Sequence, residues 1–276
     1  MDKIVFPSHS HPYGLVASEP FFDLLGQDLK MPEPNDADSV KTWNLGGGFM
    51  LLDIDSFSKR FIDLAKTSTD PLLEIGTAYG ISTISALENS TCPIIANDIS
   101  EENLLILRKR AKMQDLHRLY LNLGCFPDDL HFSSNSLGAV LICRVAHFFT
   151  GDVIEQGLKK IYDWLIPGGK LFFVIATPFR SNLIDFIPIY EQRWQDGNPW
   201  PGYLHDYRKR ADDFGYNLKD FFHVMDKRPL KRVFLDTGFE IEDLSYIDRS
   251  KKSKLSYDGR EYLGAIGIKP RSTNKY

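Results

Sequence analysis

Cysteine is scarce in this chain of 276 residues: Cys92, Cys125 and Cys143 are all it has. An odd number without paired spacing excludes a disulfide framework and fits reduced thiols in a cytosolic protein. Each lies in or beside an apolar run, where a thiol packs as a small hydrophobe. Long apolar runs are missing too. Nothing reaches the roughly 18 residues that a membrane-crossing helix needs, and an early acid, Asp2, precedes no stretch of signal-peptide length. The expectation is a soluble, cytoplasmic protein without membrane association. Excess positive charge is also absent. A formal net charge of −4 argues against nucleic acid as a partner, because phosphate binding needs concentrated cationic surface. The short clusters Arg208-Lys209-Arg210 and Lys251-Lys252-Ser253-Lys254 read as solvated faces. His9 and His11 alternate, but no further ligand cluster joins them, so no metal is expected.

Hydrophobic residues make up 43% of the sequence, enough for a substantial core. Between about residues 55 and 177, strand and helix signals alternate. The spacing predicts helices over 56–65, 81–87, 100–113 and 153–165. Buried strands are predicted over 71–75, 93–97, 119–123, 139–143 and 170–176. Ser100 suits a helix cap, and Glu101 and Glu102 suit the positive end of that helix. Asn103 stands where a full capping box would place Glu or Gln. Continuous apolar strands separated by helices indicate a parallel sheet covered on both faces. A helix over 230–237, capped by Gly238, then precedes two further strands, 239–247 and 261–268. Two segments fall outside the alternation. Residues 1–50 are rich in Pro, Gly, Ser and aromatics. Residues 178–225 form an aromatic-dense insertion after the fifth strand, at the sheet edge where α/β proteins bind ligands.

The run Leu72-Leu73-Glu74-Ile75-Gly76-Thr77-Ala78-Tyr79-Gly80 reads as a buried strand that ends in an acid, turns on small residues and opens a helix. A second acid, Asp98, closes the next strand. That pairing suits an adenosyl ligand: the turn lets the ligand approach the backbone, and the later carboxylate can accept hydrogen bonds from ribose hydroxyls. A dinucleotide fingerprint would place glycines at 76, 78 and 81, but 78 is Ala and 81 is Ile. No Tyr has Lys four residues later, as a short-chain dehydrogenase would. Tyr79-Gly80-Ile81 supplies no phosphate-binding Gly-Lys-Ser/Thr.

The pattern resembles the class I S-adenosylmethionine-dependent methyltransferases. Glu74 to Gly80 is similar to that family's first motif, and Asp98 to its ribose-binding acid. Gly124-Cys125-Phe126-Pro127-Asp128-Asp129-Leu130-His131-Phe132 resembles the loop after strand three. Asn135-Ser136-Leu137-Gly138-Ala139-Val140 resembles the start of strand four, and Val145-Ala146-His147-Phe148-Phe149 its exit. Leu165-Ile166-Pro167-Gly168-Gly169-Lys170-Leu171 is similar to the segment before strand five, and Thr237-Gly238-Phe239-Glu240 to the family's last helix-to-strand turn. The resemblance covers residues 50–177 and 226–269. It implies a Rossmann-like α/β fold: a seven-stranded, mostly parallel sheet, helices on both faces, the last strand antiparallel. It also implies an N-terminal extension (1–50) over the cofactor site and a methyltransferase domain (51–276) in which 178–225 is a substrate lid. Three departures stand out: Ala78 for the middle glycine, Cys125 where an acid often meets the adenine amino group, and Gly138 for an acid.

On this resemblance the cofactor is S-adenosyl-L-methionine, leaving as S-adenosyl-L-homocysteine. Its binding residues are Glu74, Gly76, Thr77, Ala78, Gly80, Asp98, Ile99, Cys125 and Phe126. The plainer readings are a strand-to-helix turn for 76–80 and a helix cap for Asp98. Arg144 and His147 follow strand four, where the family places substrate-facing residues. His147 could act as a general base because an ordinary imidazole titrates near neutrality, or it could be a satisfied core histidine. Arg144 could hold a carboxylate of substrate or cofactor, or form an ordinary ion pair. Tyr190, Trp194, Trp200 and Tyr203 are the candidate substrate-binding aromatics, against a role as the core of a small helical subdomain. The expected activity is methyl transfer by direct displacement to an O, N or C atom of a small-molecule acceptor. The alternatives are a protein or RNA methyltransferase docking through the basic stretches, and a non-catalytic binding module of the same fold.

Overall fold

The computed structural model describes residues 28–36, 39–43, 48–211, 219–249 and 255–271. Seven strands form the central sheet: β1 (Leu72–Ile75), β2 (Ile94–Asp98), β3 (Leu119–Leu123), β4 (Leu137–Cys143), β5 (Leu165–Ala176), β6 (Glu240–Ile247) and β7 (Tyr262–Ile268). Their order across the sheet is β3-β2-β1-β4-β5-β7-β6. β1 to β5 pair in parallel, while β7 runs antiparallel to both β5 and β6. This is the Rossmann-like sheet the sequence predicts. The chain order reverses between β1 and β4, and in such sheets ligands bind beyond the carboxyl ends of the strands at that switch.

The central strands are buried on both faces because their side chains alternate between two cores. Val140 and Ile142 of β4 face one core with Leu171, Phe173 and Ile175 of β5. Ala139 and Leu141 face the other with Phe172, Val174 and Ala176. Helices α4 (Gly151–Trp164) and α7 (Lys227–Thr237) supply Ile154, Leu158, Ile161, Leu230, Val233 and Phe234 to the first. Helices α1 (Ser56–Ala65) and α2 (Ile81–Asn89) supply Phe57, Phe61, Ala86 and Leu87 to the second. Asp55 caps α1 by accepting from the Phe57 and Ser58 N–H groups, which satisfies donors that have no partner inside the helix.

Helix α3 (Glu101–Arg110) ends earlier than the periodicity predicts. Ala111 is extended, and Met113–Arg118 forms a separate 3-10 turn in which Arg118 pairs with Asp115. Strand β5 begins earlier than predicted, at Leu165. Leu165 pairs with Leu137 across a register shift, and Gly168 and Gly169 exchange backbone hydrogen bonds with Lys269, so the Pro-Gly-Gly segment stays extended.

The insertion after β5 contains α5 (Ile187–Gln195), α6 (Tyr207–Ala211) and a two-stranded pairing of Leu204 with Phe222 and Tyr203 with His223. Before α1, residues 34–36, 39–41 and 49–51 form a small antiparallel sheet that the sequence pattern did not reveal. Among the described residues no helix is long and apolar enough to cross a membrane. His9, His11, Asp2, the 251–254 cluster, and parts of both the N-terminal extension and the insertion lie outside the described residues.

Candidate active site

The turn after β1 is built on left-handed backbone. Gly76, Ala78 and Gly80 have φ of 71°, 49° and 75°. Glycine adopts this region readily, whereas Ala78 does so at a cost of order 1 kcal/mol. The Gly76 and Thr77 N–H groups both donate to Asn97 O at 2.9 Å, fastening the turn to β2. A Cβ on Gly76 would lie 2.3 Å from Val145 Cγ2, so the exit of β4 packs directly on the turn. Glu74 is buried below it and accepts from the Thr77 hydroxyl at 3.4 Å and from Thr83. Burial pushes its carboxyl up to about 7, against the lowering effect of those two threonines.

Asp98 ends β2 and turns inward. Its Oδ2 accepts from Ala78 N at 2.8 Å, and its Oδ1 accepts from Ser100 N at 2.9 Å and Asn103 Nδ2 at 3.0 Å. Only 3% of the residue is exposed. Burial raises its pKa, while these donors oppose the rise. Asn103, which the sequence suggested only as an imperfect cap residue, also accepts from Trp43 N at 3.2 Å through Oδ1. The Tyr79 hydroxyl donates to Lys41 O at 2.7 Å. Val40, Met50, Ala78, Tyr79 and Ile106 share one small core. The described part of the N-terminal segment is thus fastened beside the turn. Ile99 is different: 63% of it is exposed.

In the loop after β3, the exposed Cys125 donates its N–H to Asp129 Oδ2 at 2.8 Å. Burial and the nearby Asp129 and Asp128 raise its thiol pKa. Phe126 points into the core, against Phe149 at 5.6 Å and over Gly157. Its side chain is therefore a packing element.

After β4, Arg144 takes φ of 61°, a region few non-glycine residues occupy. Its N–H donates to Val174 O at 2.8 Å, and its Nη2 lies 3.1 Å from Asp55 Oδ2. The pair is ionic rather than hydrogen-bonded: Nη2 has no hydrogen-bond partner among the described residues. The Cys143 thiol and the Ser58 hydroxyl also donate to Asp55 Oδ2, at 3.3 and 3.0 Å. Burial pushes Asp55 up, but Arg144 and these donors outweigh it and leave the carboxyl below its usual range.

His147 is 9% exposed and stacks on Phe222 at 4.5 Å, with Phe148 edge-on at 4.4 Å. Burial, with the positive Arg180 and Arg144 and the nearby His223, pushes it down to about 3. The near-neutral titration that motivated a base role is lost, and a neutral ring remains whose buried Nδ1 has no hydrogen-bond partner among the described residues.

The four aromatics of the insertion are mostly structural. Tyr190 is fully buried and its hydroxyl accepts from Asp226 N at 3.0 Å. Trp200 is 6% exposed and packs against Gly151. The Tyr203 hydroxyl accepts from Gly151 N at 2.6 Å, and its ring meets His223. Trp194 is half-buried under the Arg228 guanidinium at 5.1 Å. His147 meets Phe222 and the charge of Arg180, and Arg144 lies over Tyr262, none of which the sequence singled out as a site residue. Arg180 offered one signal: it follows β5 by four residues, at the ligand edge of the sheet. Among the described residues no group of three or more His, Cys, Asp or Glu could hold a metal ion.

Residues 72–169 match the family described as "Methyltransferase domain". No curated protein matches the sequence. Among solved structures, the chain is similar to a SAM-dependent methyltransferase from Methanosarcina mazei (TM-score 0.56, 16% identity, 76% of this chain and 97% of that one). It is also similar to an S-adenosylmethionine dependent methyltransferase from Mesorhizobium loti (TM-score 0.54, 13% identity, 77% and 98%). A third is a geranyl diphosphate methyltransferase in complex with SAM (TM-score 0.52, 14% identity, 77% and 84%). At these identities the structural likeness concerns the fold. The match over residues 72–169 and the strand order support the resemblance to the class I S-adenosylmethionine-dependent methyltransferases.

Proposed function

We propose that the protein transfers a methyl group from S-adenosyl-L-methionine to an O, N or C atom of a small molecule. The observation that carries this reading is the set of groups at one sheet edge: the left-handed Gly76–Gly80 turn, Asp98 at the end of β2 and the exposed Ile99 beside it. These fit an adenosyl cofactor. Ile99 offers an apolar face for the adenine, with Cys125 exposed at the same edge and the Phe126 backbone next to it. Asp98 Oδ2 accepts one hydrogen bond, from Ala78 N, and keeps acceptor capacity for a ribose hydroxyl. Thr77, Ala78 and Gly80 bring backbone close to the methionine end, and Glu74 holds the turn from below.

The cofactor supplies a methyl group on a positively charged sulfur, already activated for displacement. The protein's part is to position the acceptor and exclude water, effects that can account for much of a displacement's rate. His147 serves as a hydrogen-bond acceptor through its neutral ring. With a conjugate acid at about 3, it is a weak base by Brønsted reasoning. Arg144 fixes the exit of β4 beside the turn. The enclosure of these groups by aromatic side chains of the insertion favours a small acceptor over a macromolecule.

One observation favours a non-catalytic relative: Asp98 is buried and already accepts three internal hydrogen bonds. Calorimetric titration of S-adenosyl-L-homocysteine decides between the two. Micromolar binding that Asp98→Asn weakens tenfold or more supports the methyltransferase. No binding to the unaltered protein overturns it.

A further inference from the structure

Tyr262 opens β7 and pairs with Ala176, the last residue of β5. Because β7 is antiparallel, this start lies at the carboxyl ends of β4 and β5. Three guanidiniums surround its ring: Arg144 at 5.3 Å, Arg180 at 5.7 Å and Arg249 at 5.8 Å from the centroid. They come from three separate connections, after β4, β5 and β6. Arg180 and Arg249 are each 3% exposed, and Tyr262 is 9% exposed.

Three carboxylates stand nearby. Asp55 faces Arg144, and Asp53 pairs with Arg249 Nη1 at 2.8 Å. Glu261 is turned to backbone, accepting from the N–H groups of Tyr257, Asp258, Gly259 and Arg249. Arg180 Nη1 donates to the Tyr207 hydroxyl at 2.9 Å. Arg144 Nε and Nη2 and Arg249 Nε are buried with no hydrogen-bond partner among the described residues. A buried charged donor left without an acceptor costs a protein stability. Packing alone would be served better by apolar residues at these positions. Arginine's planar fork matches a carboxylate or a phosphate.

We infer that Arg144, Arg180 and Arg249, gathered around Tyr262, form a subsite for an anionic group, carboxylate or phosphate, carried by the methyl acceptor. The inference rests on the methyltransferase reading and names its substrate class. Position assigns the subsite to the acceptor rather than to the cofactor. Tyr262 sits three strands from β1, roughly 14 Å at ordinary strand spacing, whereas the adenosyl turn lies on β1 and β2. His147 stays neutral chiefly through burial, with the positive Arg180 and Arg144 adding to the effect.

The test is calorimetric titration of inorganic phosphate and, separately, malonate into the full chain at fixed ionic strength, with and without saturating S-adenosyl-L-homocysteine. The expected result is saturable binding of at least one anion, unchanged by S-adenosyl-L-homocysteine and at least tenfold weaker in Arg180→Gln and Arg249→Gln. A preference for phosphate or for malonate identifies the acceptor's charged group. No saturable binding of either anion overturns the inference. So does displacement by S-adenosyl-L-homocysteine, which would assign the arginines to the cofactor's own carboxylate, and so does equal binding in both variants. Should a variant fail to fold, phenylglyoxal labelling of the unaltered protein decides. Protection of the three arginines by the anion supports the subsite, and equal labelling sinks it. Anion binding without any S-adenosyl-L-homocysteine binding would defeat the methyltransferase reading while leaving the anion site in place.

Discussion

The two halves of the candidate site are built on opposite plans. Around β1 and β2 the chain satisfies itself with backbone and short polar groups: Gly76 and Thr77 on Asn97 O, Asp98 on Ala78, Ser100 and Asn103, Glu74 on Thr77 and Thr83. Around β4, β5 and β7 it gathers long cationic and aromatic side chains, and buried nitrogens of Arg144 and Arg249 have no hydrogen-bond acceptor among the described residues. A self-satisfied site suits one ligand whose shape is fixed. Donors unmet among the described residues are what the inference of an anion subsite rests on. Polar satisfaction thus distinguishes the two halves.

The sharpest way to break this contrast is to remove the carboxylate beneath the cationic half. Asp55→Ala uncaps α1 and strips Arg144, whose Nε and Nη2 are buried, of its ionic partner. Leaving a buried charge uncompensated costs about 3–5 kcal/mol. Urea denaturation should show a loss in that range, and Arg144→Met in the Asp55→Ala background should recover part of it. A loss below about 1 kcal/mol would mean that Arg144 is better solvated than its surroundings indicate.

On the other half, Gly76→Val tests whether the turn is as tightly specified. The new side chain would meet Val145 at a residue with φ of 71°. Strain and overpacking each cost about 1–3 kcal/mol. With both costs present the variant should be destabilised by about 2–6 kcal/mol and lose S-adenosyl-L-homocysteine binding. Adding Val145→Ala should return some stability but not the binding, because the left-handed backbone still resists a branched residue. Full recovery of both would show that the turn owes its shape to packing alone.

A third comparison uses pH. Glu74 titrates at about 7 in the folded chain, above its ordinary value of 4.5. Between those values the folded chain holds a proton that the unfolded chain releases, so this group's stabilising contribution is present at low pH and lost as pH rises through 7. His147 and His223, pushed down to about 3 and 4, act oppositely, losing stability as pH falls below the usual imidazole range. The difference between the unaltered protein and Glu74→Gln isolates the carboxyl. The variant should gain on the order of 1–3 kcal/mol relative to the unaltered protein between pH 4.5 and 8. Parallel stability curves would show that Glu74 is ionised throughout.

The same division explains what the sequence made legible. The strands and the β1 turn were readable because each rests on local pattern: apolar runs, small turn residues, an acid at a strand end; the antiparallel last strand was expected only from the family resemblance. The cationic half was not, because Arg144, Arg180, Arg249 and Tyr262 lie on different connections and meet only through β7 folding back beside β5. Arg249 in particular stood in what read as a polar basic stretch before β7. The inward turn of Asp98 was also hidden. Its acceptor role on Ala78 depends on how β2 aligns with β1, which no spacing reveals. The aromatic density of 178–225 was visible, but not its allocation. Tyr190 and Trp200 serve the core, while Phe222 and Tyr207 stack at 3.9 Å beside His147.

That allocation leads to the smallest expected effect. Trp194 is the one aromatic of the four proposed substrate residues without a buried or hydrogen-bonded role. It is half-buried and covered by Arg228, which is itself held by Glu191 and Asp226. Truncating it removes a cation–π contact of about 0.5–1 kcal/mol, and Arg228 keeps both carboxylates. Trp194→Ala should therefore lower the melting midpoint only slightly and leave S-adenosyl-L-homocysteine affinity unchanged. Trp200→Ala, in contrast, opens a void against Gly151 and should cost about 3–5 kcal/mol. Equal losses from the two would mean that the insertion is a single packed unit in which no tryptophan is spare for a ligand. A large difference leaves Trp194 as the aromatic of the four that an acceptor can reach without unpacking the fold.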